Sequence, residues 1–290
     1  SAALELYQAS ALVHDDIIDK ADERRGMPTP HRTLADHHVG QSWIGSSTDF
    51  GRHSAILVGD FLFSAATAAA DEQALTLRED CARAFTRRFA DMHAEVALGQ
   101  YLDITAEQTP LDPARTDALS MSDSLEVALH KSAHYSVVHP ALLGAICGAS
   151  SFDGVATLLD VLETILTPWG LAFQLRDDDL GVFGDPAVTG KPAGDDLREG
   201  KRTALLALTW EASSPDERRA LTDVLGVAEA SARQIAAATE IVERNGRAAH
   251  EAEIARLVAD GEAALETCDF DEDARAMLRE LCAILTARRA

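Results

Sequence analysis

Asp15, Asp16 and Asp19 fall within the run His14-Asp15-Asp16-Ile17-Ile18-Asp19, directly after an apolar stretch with helical spacing. On a helix, positions four apart share a face, so Asp15 and Asp19 point the same way with Asp16 beside them. Three ionised carboxylates this close repel one another, and a hard cation between them relieves the repulsion. Mg²⁺ suits such a set, because it takes a few carboxylate oxygens together with substrate phosphate oxygens. A second run, Asp177-Asp178-Asp179, closes another long apolar stretch far down the chain. Two acidic sets facing each other across a cavity would hold a diphosphate through bridging metal ions.

Cations stand where such a ligand needs them. Arg24 and Arg25 lie in a Gly/Pro-rich loop just after the first acidic run, and guanidinium groups grip phosphate bidentately. An arginine pair in a loop is usually surface charge, but this position favours phosphate. Lys131 interrupts a largely apolar helical stretch, where a lysine either reaches out to the surface or needs an anion. From Gly184 to Thr203, a loop rich in Gly and Pro carries Lys191, Arg198, Lys201 and Arg202. Its glycine spacing is not that of a P-loop. Lysines beside a carboxylate run suit a mobile lid over a polyanion. Gln100 and Asp103 lie one turn apart on a long amphipathic helix, equally suited to interhelical hydrogen bonds and to support of a metal site. His130, His134 and His139 do not read as a metal triad; isolated histidines more often serve packing or the surface. Asp60 reads either as hydrogen-bonded in the core or as an N-terminal charge after a kink at Gly59, and is given no catalytic role.

The elements that must position these residues are helices. The chain has 290 residues, 47% of them hydrophobic but only 5% aromatic, and Ala and Leu dominate. Helices are expected over residues 1–19, 51–70, 78–106 and 155–181, the second of them mostly buried. Pro168 is expected to kink the last, and its acidic run sits where the helix dipole disfavours negative charge unless a cation is bound. Ser122 or Asp123 caps the helix that leads to Lys131. Ser213-Ser214-Pro215-Asp216-Glu217 reads as a helix start and Asn245-Gly246 as a stop. The net charge of −22 makes nucleic acid and anionic membrane poor partners. No window reads as long and apolar enough to span a bilayer, Ala55 to Ala70 being broken by Asp60. Four scattered cysteines without metal-ligand spacing point to buried thiols in a reducing, cytoplasmic setting.

The run HDDIID, the following RRGMPTPH, GQYLD, the Lys131-Ser132 step, FQLRDD and GDPAVTGKPAGDDLREGKRT, in this order, resemble the trans-type polyprenyl diphosphate synthases. The likeness is greatest to bacterial geranylgeranyl diphosphate synthases. Any one motif is weakly specific; the ordered set, over roughly Leu4 to Leu206, is very specific. The resemblance implies an all-α, isoprenoid-synthase-type helical bundle around a deep central cavity, usually a homodimer. It implies Mg²⁺-dependent head-to-tail condensation of isopentenyl diphosphate with an allylic diphosphate, with three Mg²⁺ ions. Asp15 and Asp19 would ligate metal from one wall with Asp16 assisting, and Asp177 from the other with Asp178 in support. Arg24, Lys131, Ser132, Gln174, Lys191 and Lys201 would bind the allylic diphosphate, and Arg25 the isopentenyl diphosphate. Bulky residues before the first motif floor the product tunnel in this family. Here Ser10 and Ala11 are small and Tyr7 lies a turn deeper, so a product near C20, geranylgeranyl diphosphate, is expected.

The chain departs from the family pattern at four places. Gly181 stands where the second motif usually ends in Asp or Asn, with Asp179 extra inside it. Ser132 replaces the usual threonine, and Gln8 a usual histidine. A Gly-Lys-Arg segment and a further histidine that help bind isopentenyl diphosphate have no counterpart here. A single domain over 1–290 lacking the family's N-terminal helices is therefore expected, either as a fragment of a longer chain or with an impaired acceptor site. Two other readings stay open. One is a class I terpene cyclase on the same fold, disfavoured by Arg25, Lys131 and the scarcity of aromatics. The other is a non-catalytic partner subunit of a prenyl synthase, disfavoured by the survival of both acidic runs.

Overall fold

The structure, a computed structural model, describes residues 2–184, 194–227 and 229–287. The fold is all-α, and one two-residue hairpin is the only strand pairing among the described residues. The chain divides into two compact units, residues 1–86 and 87–290.

The first unit holds α1 (Ala2–Ile18), β1 (Glu23–Arg24), β2 (Met27–Pro28), α2 (Pro30–Gly40), α3 (Ser47–Ala74) and the first turns of α4 (Glu79–Gln108). α1 and α2 both pack on α3. The face that α3 buries is made of small residues: Gly51, Ala55, Gly59, Ala66 and Ala70. A Cβ at Gly51 would stand 2.2 Å from the His31 carbonyl oxygen, so glycine lets the α2 backbone come close. The large side chains of α3 point the other way, with Leu57 67% and Phe61 72% exposed. The expectation of a mostly buried helix therefore fails: α3 buries its small residues and exposes its large ones. Asp60 is exposed on this helix, 3.5 Å from His14 Nε2. It is neither a core hydrogen bonder nor a charge at a kink, and α3 runs unbroken past it.

The stretch after α1 is an ordered turn. Glu23 pairs with Pro28, and Arg25 (φ 54°) and Gly26 (φ 72°) occupy the two central positions with the positive φ that a type I′ hairpin requires. Thr29, almost fully buried, donates its hydroxyl to the carbonyls of Ala21 and Asp22 and closes the base of the hairpin.

The second unit is built on α7 (Phe152–Phe183), which runs unbroken through Pro168. Its Ile165, Leu166, Trp169, Ala172 and Leu175 are fully buried. Against it pack α12 (Arg247–Glu266) and a π-helical segment, Leu129–Val138. Trp169 Nε1 donates to the Val258 carbonyl of α12 at 3.2 Å. The π segment follows α5 (Met121–Ala128), capped by Ser120 rather than by Ser122 or Asp123, and continues into α6 (His139–Gly148). After α8 (Asp195–Glu199), α9 (Ala204–Ala212), α10 (Pro215–Thr222) and α11 (Ala232–Asn245) enclose a second core around Leu205, Trp210, Leu221 and Val242. Ser214 and Ser231 form capping boxes with Glu217 and Gln234, as the serine–proline start implied for the former. Asn245-Gly246 ends α11, and α12 begins at once. α13 (Glu272–Thr286) completes the described chain.

By length and composition alone, α3 and α7 are apolar enough to cross a membrane, which corrects the expectation that no window is. Apolar helices of this length are equally the product of a packed core, and α7 carries the buried residues named above.

Two predictions follow from this packing. A Cβ at Gly99 of α4 would stand 2.3 Å from Lys131 N and 2.5 Å from the His130 carbonyl carbon, both backbone atoms of the π segment. Gly99→Ala must push the two elements apart and is expected to cost about 1–3 kcal/mol, read as a lowered Tm. His250 of α12 is fully buried, both its ring nitrogens lack a partner among the described residues, and burial lowers its pKa to about 4. The unfolded chain takes up this proton near pH 6.5 and the folded chain only near pH 4. Its contribution is therefore complete above the unfolded value and is lost as pH falls toward 4, at up to about 1.4 kcal/mol per pH unit. His250→Leu is expected to flatten that acid limb in denaturant titrations across pH 4–7 and to leave neutral-pH stability equal or higher.

Candidate functional site

In the first unit, α1 presents Asp15, and Asp19 follows in the turn just past its end with its N–H on the Asp15 carbonyl at 2.8 Å; both are half-buried, with Asp16 turned inward at 2% exposure. The hairpin folds Arg24 back onto this set: its Nε donates to Asp16 Oδ1 at 2.6 Å and its Nη2 to Asp15 Oδ2 at 3.0 Å. Arg24, expected on the allylic diphosphate, thus sits on the carboxylates themselves and offsets their mutual repulsion. Burial still holds the Asp16 carboxyl above its ordinary pKa, against the pull of Arg24. Arg25 projects from the hairpin tip, exposed. Of the expected tunnel residues, Ser10 is buried with its hydroxyl on the Gly59 carbonyl at 2.8 Å, so it belongs to the contact between α1 and α3. Tyr7 meets Phe63 edge-on at 6.1 Å between ring centroids. Ala11 lies one turn from Asp15 on the same face and is half-buried.

The second unit gathers a mixed cluster. Asp103 of α4 is buried, and its Oδ2 accepts from Lys131 Nζ at 2.6 Å and from Lys201 Nζ at 3.3 Å. Lys201 also pairs with Glu107 at 2.8 Å. Burial pushes the Asp103 carboxyl up, but the two lysines outweigh it and hold its pKa below the usual carboxylate range. Of the two roles open to Asp103, the hydrogen-bonding one is what the geometry shows: it fixes two cations side by side. Arg202 donates to the carbonyls of Gly200 and Glu107. The end of the stretch expected as a mobile lid is therefore anchored. Lys191 lies outside the described residues. Ser132 follows Lys131 on the π segment, half-buried.

The three consecutive aspartates of α7 part company, because successive helical residues turn by about 100°. Asp177 is exposed. Asp178 is buried and accepts from Gln174 Nε2 at 2.9 Å, so Gln174 acts on a carboxylate here. Asp179 points at α12, where Arg247 grips it through Nε at 2.9 Å and Nη2 at 3.1 Å. The same Arg247 lies over the Phe183 ring, and Arg176 binds Glu251 beside it. Asp179 is thus part of a helix-to-helix salt bridge, not a member of the acidic set. The run also sits a turn before the end of α7 rather than at its terminus.

Sequence reading missed Asp196. A Cβ at Gly181 would stand 2.0 Å from Asp196 Oδ2, so the absent side chain of the second motif makes room for a carboxylate from α8. Burial raises the Asp178 pKa well above its ordinary value, with Asp196, Asp177 and Asp103 adding repulsion. A divalent cation relieves that repulsion, and hard carboxylate oxygens are the donors Mg²⁺ takes. The residues present fit the ion in both units.

Sequence reading also dismissed His130, His134 and His139 as separate. All three bind one carboxylate: His130 Nδ1 and His134 Nδ1 lie 2.7 and 2.6 Å from Glu95 Oε1, and His139 Nε2 lies 2.7 Å from Oε2. The spacing of His139 hid this, because an α-helical period places its ring opposite His130.

The family model for polyprenyl synthetases matches residues 1–242. A geranylgeranyl diphosphate synthase from Saccharolobus solfataricus is 30% identical over 84% of this chain and 65% of its own length. A (2E,6E)-farnesyl diphosphate synthase from Mycobacterium bovis is 30% identical over 100% of this chain and 73% of its own. A solved geranylgeranyl pyrophosphate synthase from Corynebacterium glutamicum, complexed with isoprenyl diphosphate and magnesium, is 39% identical. It superposes with a TM-score of 0.88 over 99% of this chain and 78% of its own. The chain spans a little under two thirds of the length of the first curated relatives it matches. With the match covering most of its residues and the fold shared with solved isoprenyl synthases, this chain belongs to the polyprenyl synthetase family.

Proposed function

We propose that this protein is a trans-prenyltransferase that joins isopentenyl diphosphate head to tail to an allylic diphosphate. The observation that carries the reading is the pair of ammonium groups held on Asp103 beside the carboxylates of Asp178 and Asp196. Such a cluster is built to receive a polyanion with divalent metal. Relatives named for farnesyl, geranylgeranyl and geranylfarnesyl products support the reaction class while spanning several chain lengths.

Lys131 and Lys201 meet the diphosphate oxygens, with Lys191, Ser132 and Gln174 assigned to the same group and Arg25 to the isopentenyl diphosphate. Asp15, Asp19 and Asp177 would hold the metal, with Asp16, Asp178 and Asp196 in support. When bound, Mg²⁺, three ions in this proposal, supplies Lewis-acid neutralisation of the leaving diphosphate. The allylic C–O bond breaks with its electron pair leaving on the diphosphate. The isopentenyl double bond attacks the carbocation, and the departing diphosphate takes the proton lost. No side-chain nucleophile is required. Arg24, which holds Asp15 and Asp16, would release them to metal and take its second role on the allylic diphosphate. We place the enzyme in the cytoplasm, its four cysteines forming no disulfide. A second copy of the chain is the proposed partner, and the exposed apolar row on α3 supports this.

Incubation with isopentenyl and allylic diphosphates and Mg²⁺ is expected to yield an elongated prenyl diphosphate. Chelation should abolish the product, and Lys131→Ala should lower kcat/KM by about 10²–10³-fold. A hydrocarbon formed from geranylgeranyl diphosphate alone would instead establish the cyclase.

We assign a product near C20, with Ala11 rather than Ser10 as the position whose small side chain leaves the tunnel open. Ala11→Phe is expected to shorten the main product, read by chromatography of the dephosphorylated alcohols. Ser10→Phe should chiefly lower Tm, because it drives a ring into the α3 backbone. Unchanged product length in Ala11→Phe removes the assignment.

A further inference from the structure

Glu95, His130 and His134 form the one group of three metal-ligating side chains, among the described residues, whose donor atoms lie within 4.8 Å of one another with at least two histidines. None of the three belongs to the diphosphate machinery. Glu95 stands on α4, the histidines on the π segment. We propose that Glu95 Oε1, His130 Nδ1 and His134 Nδ1 form a second metal site, separate from the aspartates and selective for a d-block divalent ion such as Zn²⁺ over Mg²⁺.

Winding brings the third histidine onto the face that His130 and His134 share. On an α-helix, at about 3.6 residues per turn, residues 130, 134 and 139 would fall at roughly 0°, 40° and 180° around the axis. At the π-helix value of about 4.4 residues per turn they fall within roughly 50° of one another. The segment is π over Leu129–Val138, and the three imidazoles accordingly share one face. A π stretch of this length is rare, and π turns concentrate at functional sites.

The donor set is also selective. Two imidazole nitrogens and one carboxylate oxygen, with further positions left to water, suit Zn²⁺ and its neighbours, whereas Mg²⁺ prefers oxygen alone. Glu95 and both histidines are half-buried, so an ion can reach them. The remaining oxygen, Glu95 Oε2, is held by the buried His139 Nε2 at 2.7 Å. A ligating carboxylate oriented by an outer partner is the arrangement that tunes metal sites. The Nδ1–Oε1 separations of 2.7 and 2.6 Å are hydrogen bonds. To seat an ion at about 2.0–2.2 Å from each donor, both ring protons move to Nε2 and the nitrogens draw back by roughly half an ångström. Lys131 and Ser132 lie between His130 and His134 in sequence. A bound ion therefore braces the backbone that carries the proposed diphosphate-binding lysine.

The test uses tag-free protein in saturating Mg²⁺, titrated with Zn²⁺ by calorimetry and with Co²⁺ by absorption. One ion per chain is expected, with Co²⁺ d–d bands and no thiolate charge-transfer band, and Zn²⁺ should raise Tm. His130→Gln and His134→Gln keep a polar partner for Glu95. Each should weaken Zn²⁺ binding more than tenfold and abolish the Tm rise. His139→Gln, one shell out, should weaken it by about 10–100-fold. Three results would each overturn the site: no Zn²⁺ bound in Mg²⁺, a thiolate band with Co²⁺, or equal Zn²⁺ affinity in the wild type and in folded His130→Gln and His134→Gln. All of these readings are independent of prenyl transfer.

Discussion

The second unit's chemistry depends on one buried carboxylate holding two ammonium groups. Lys131 and Lys201 repel each other, and each carries a long flexible stem that would otherwise carry its charge into water. Asp103, at 5% exposure, fixes both on a single oxygen. In that poorly hydrated position the attraction is strong, and removing Asp103 leaves Lys131 without its carboxylate while Lys201 keeps Glu107. The arrangement is possible because Gly99, one turn before Asp103, lets the α4 backbone lie against that of the π segment. A missing side chain on one helix thus determines where a lysine on the next can reach.

The first unit solves a similar problem with the opposite sign. Three carboxylates crowd the end of α1, and an arginine delivered by a tight hairpin counterbalances two of them. The hairpin requires positive φ at Arg25 as well as Gly26, a conformation that disfavours a side-chain-bearing residue. Its reward is geometric: neighbouring arginines are sent in opposite directions, one inward to Asp15 and Asp16, the other outward. A chain with 48 acidic and 26 basic residues therefore keeps several of its cations in buried or half-buried contacts with specific carboxylates.

Much of this was legible in one dimension. The acidic run on α1, the arginine pair, Lys131 and the order of the motifs are local patterns, and local patterns survive folding. The helices of residues 1–19, 78–106 and 155–181 were legible for the same reason, since apolar periodicity marks them. Features that depend on helical phase or on distant partners were not. Asp179 looks like a third metal carboxylate until the turn of α7 carries it to Arg247. Ser10 looks like a tunnel residue until its hydroxyl is found on Gly59. The three histidines look unrelated because the eye applies an α-helical period to a π segment. Asp60 in α3 looks buried because its neighbours are apolar, yet that helix turns its large side chains outward.

Gly181 ties two separate stretches of chain into one inheritance. The space beside it is filled by the Asp196 carboxylate, so neither position can drift alone: a side chain at 181 would evict the acid, and loss of the acid would leave a hollow and a deficit of negative charge.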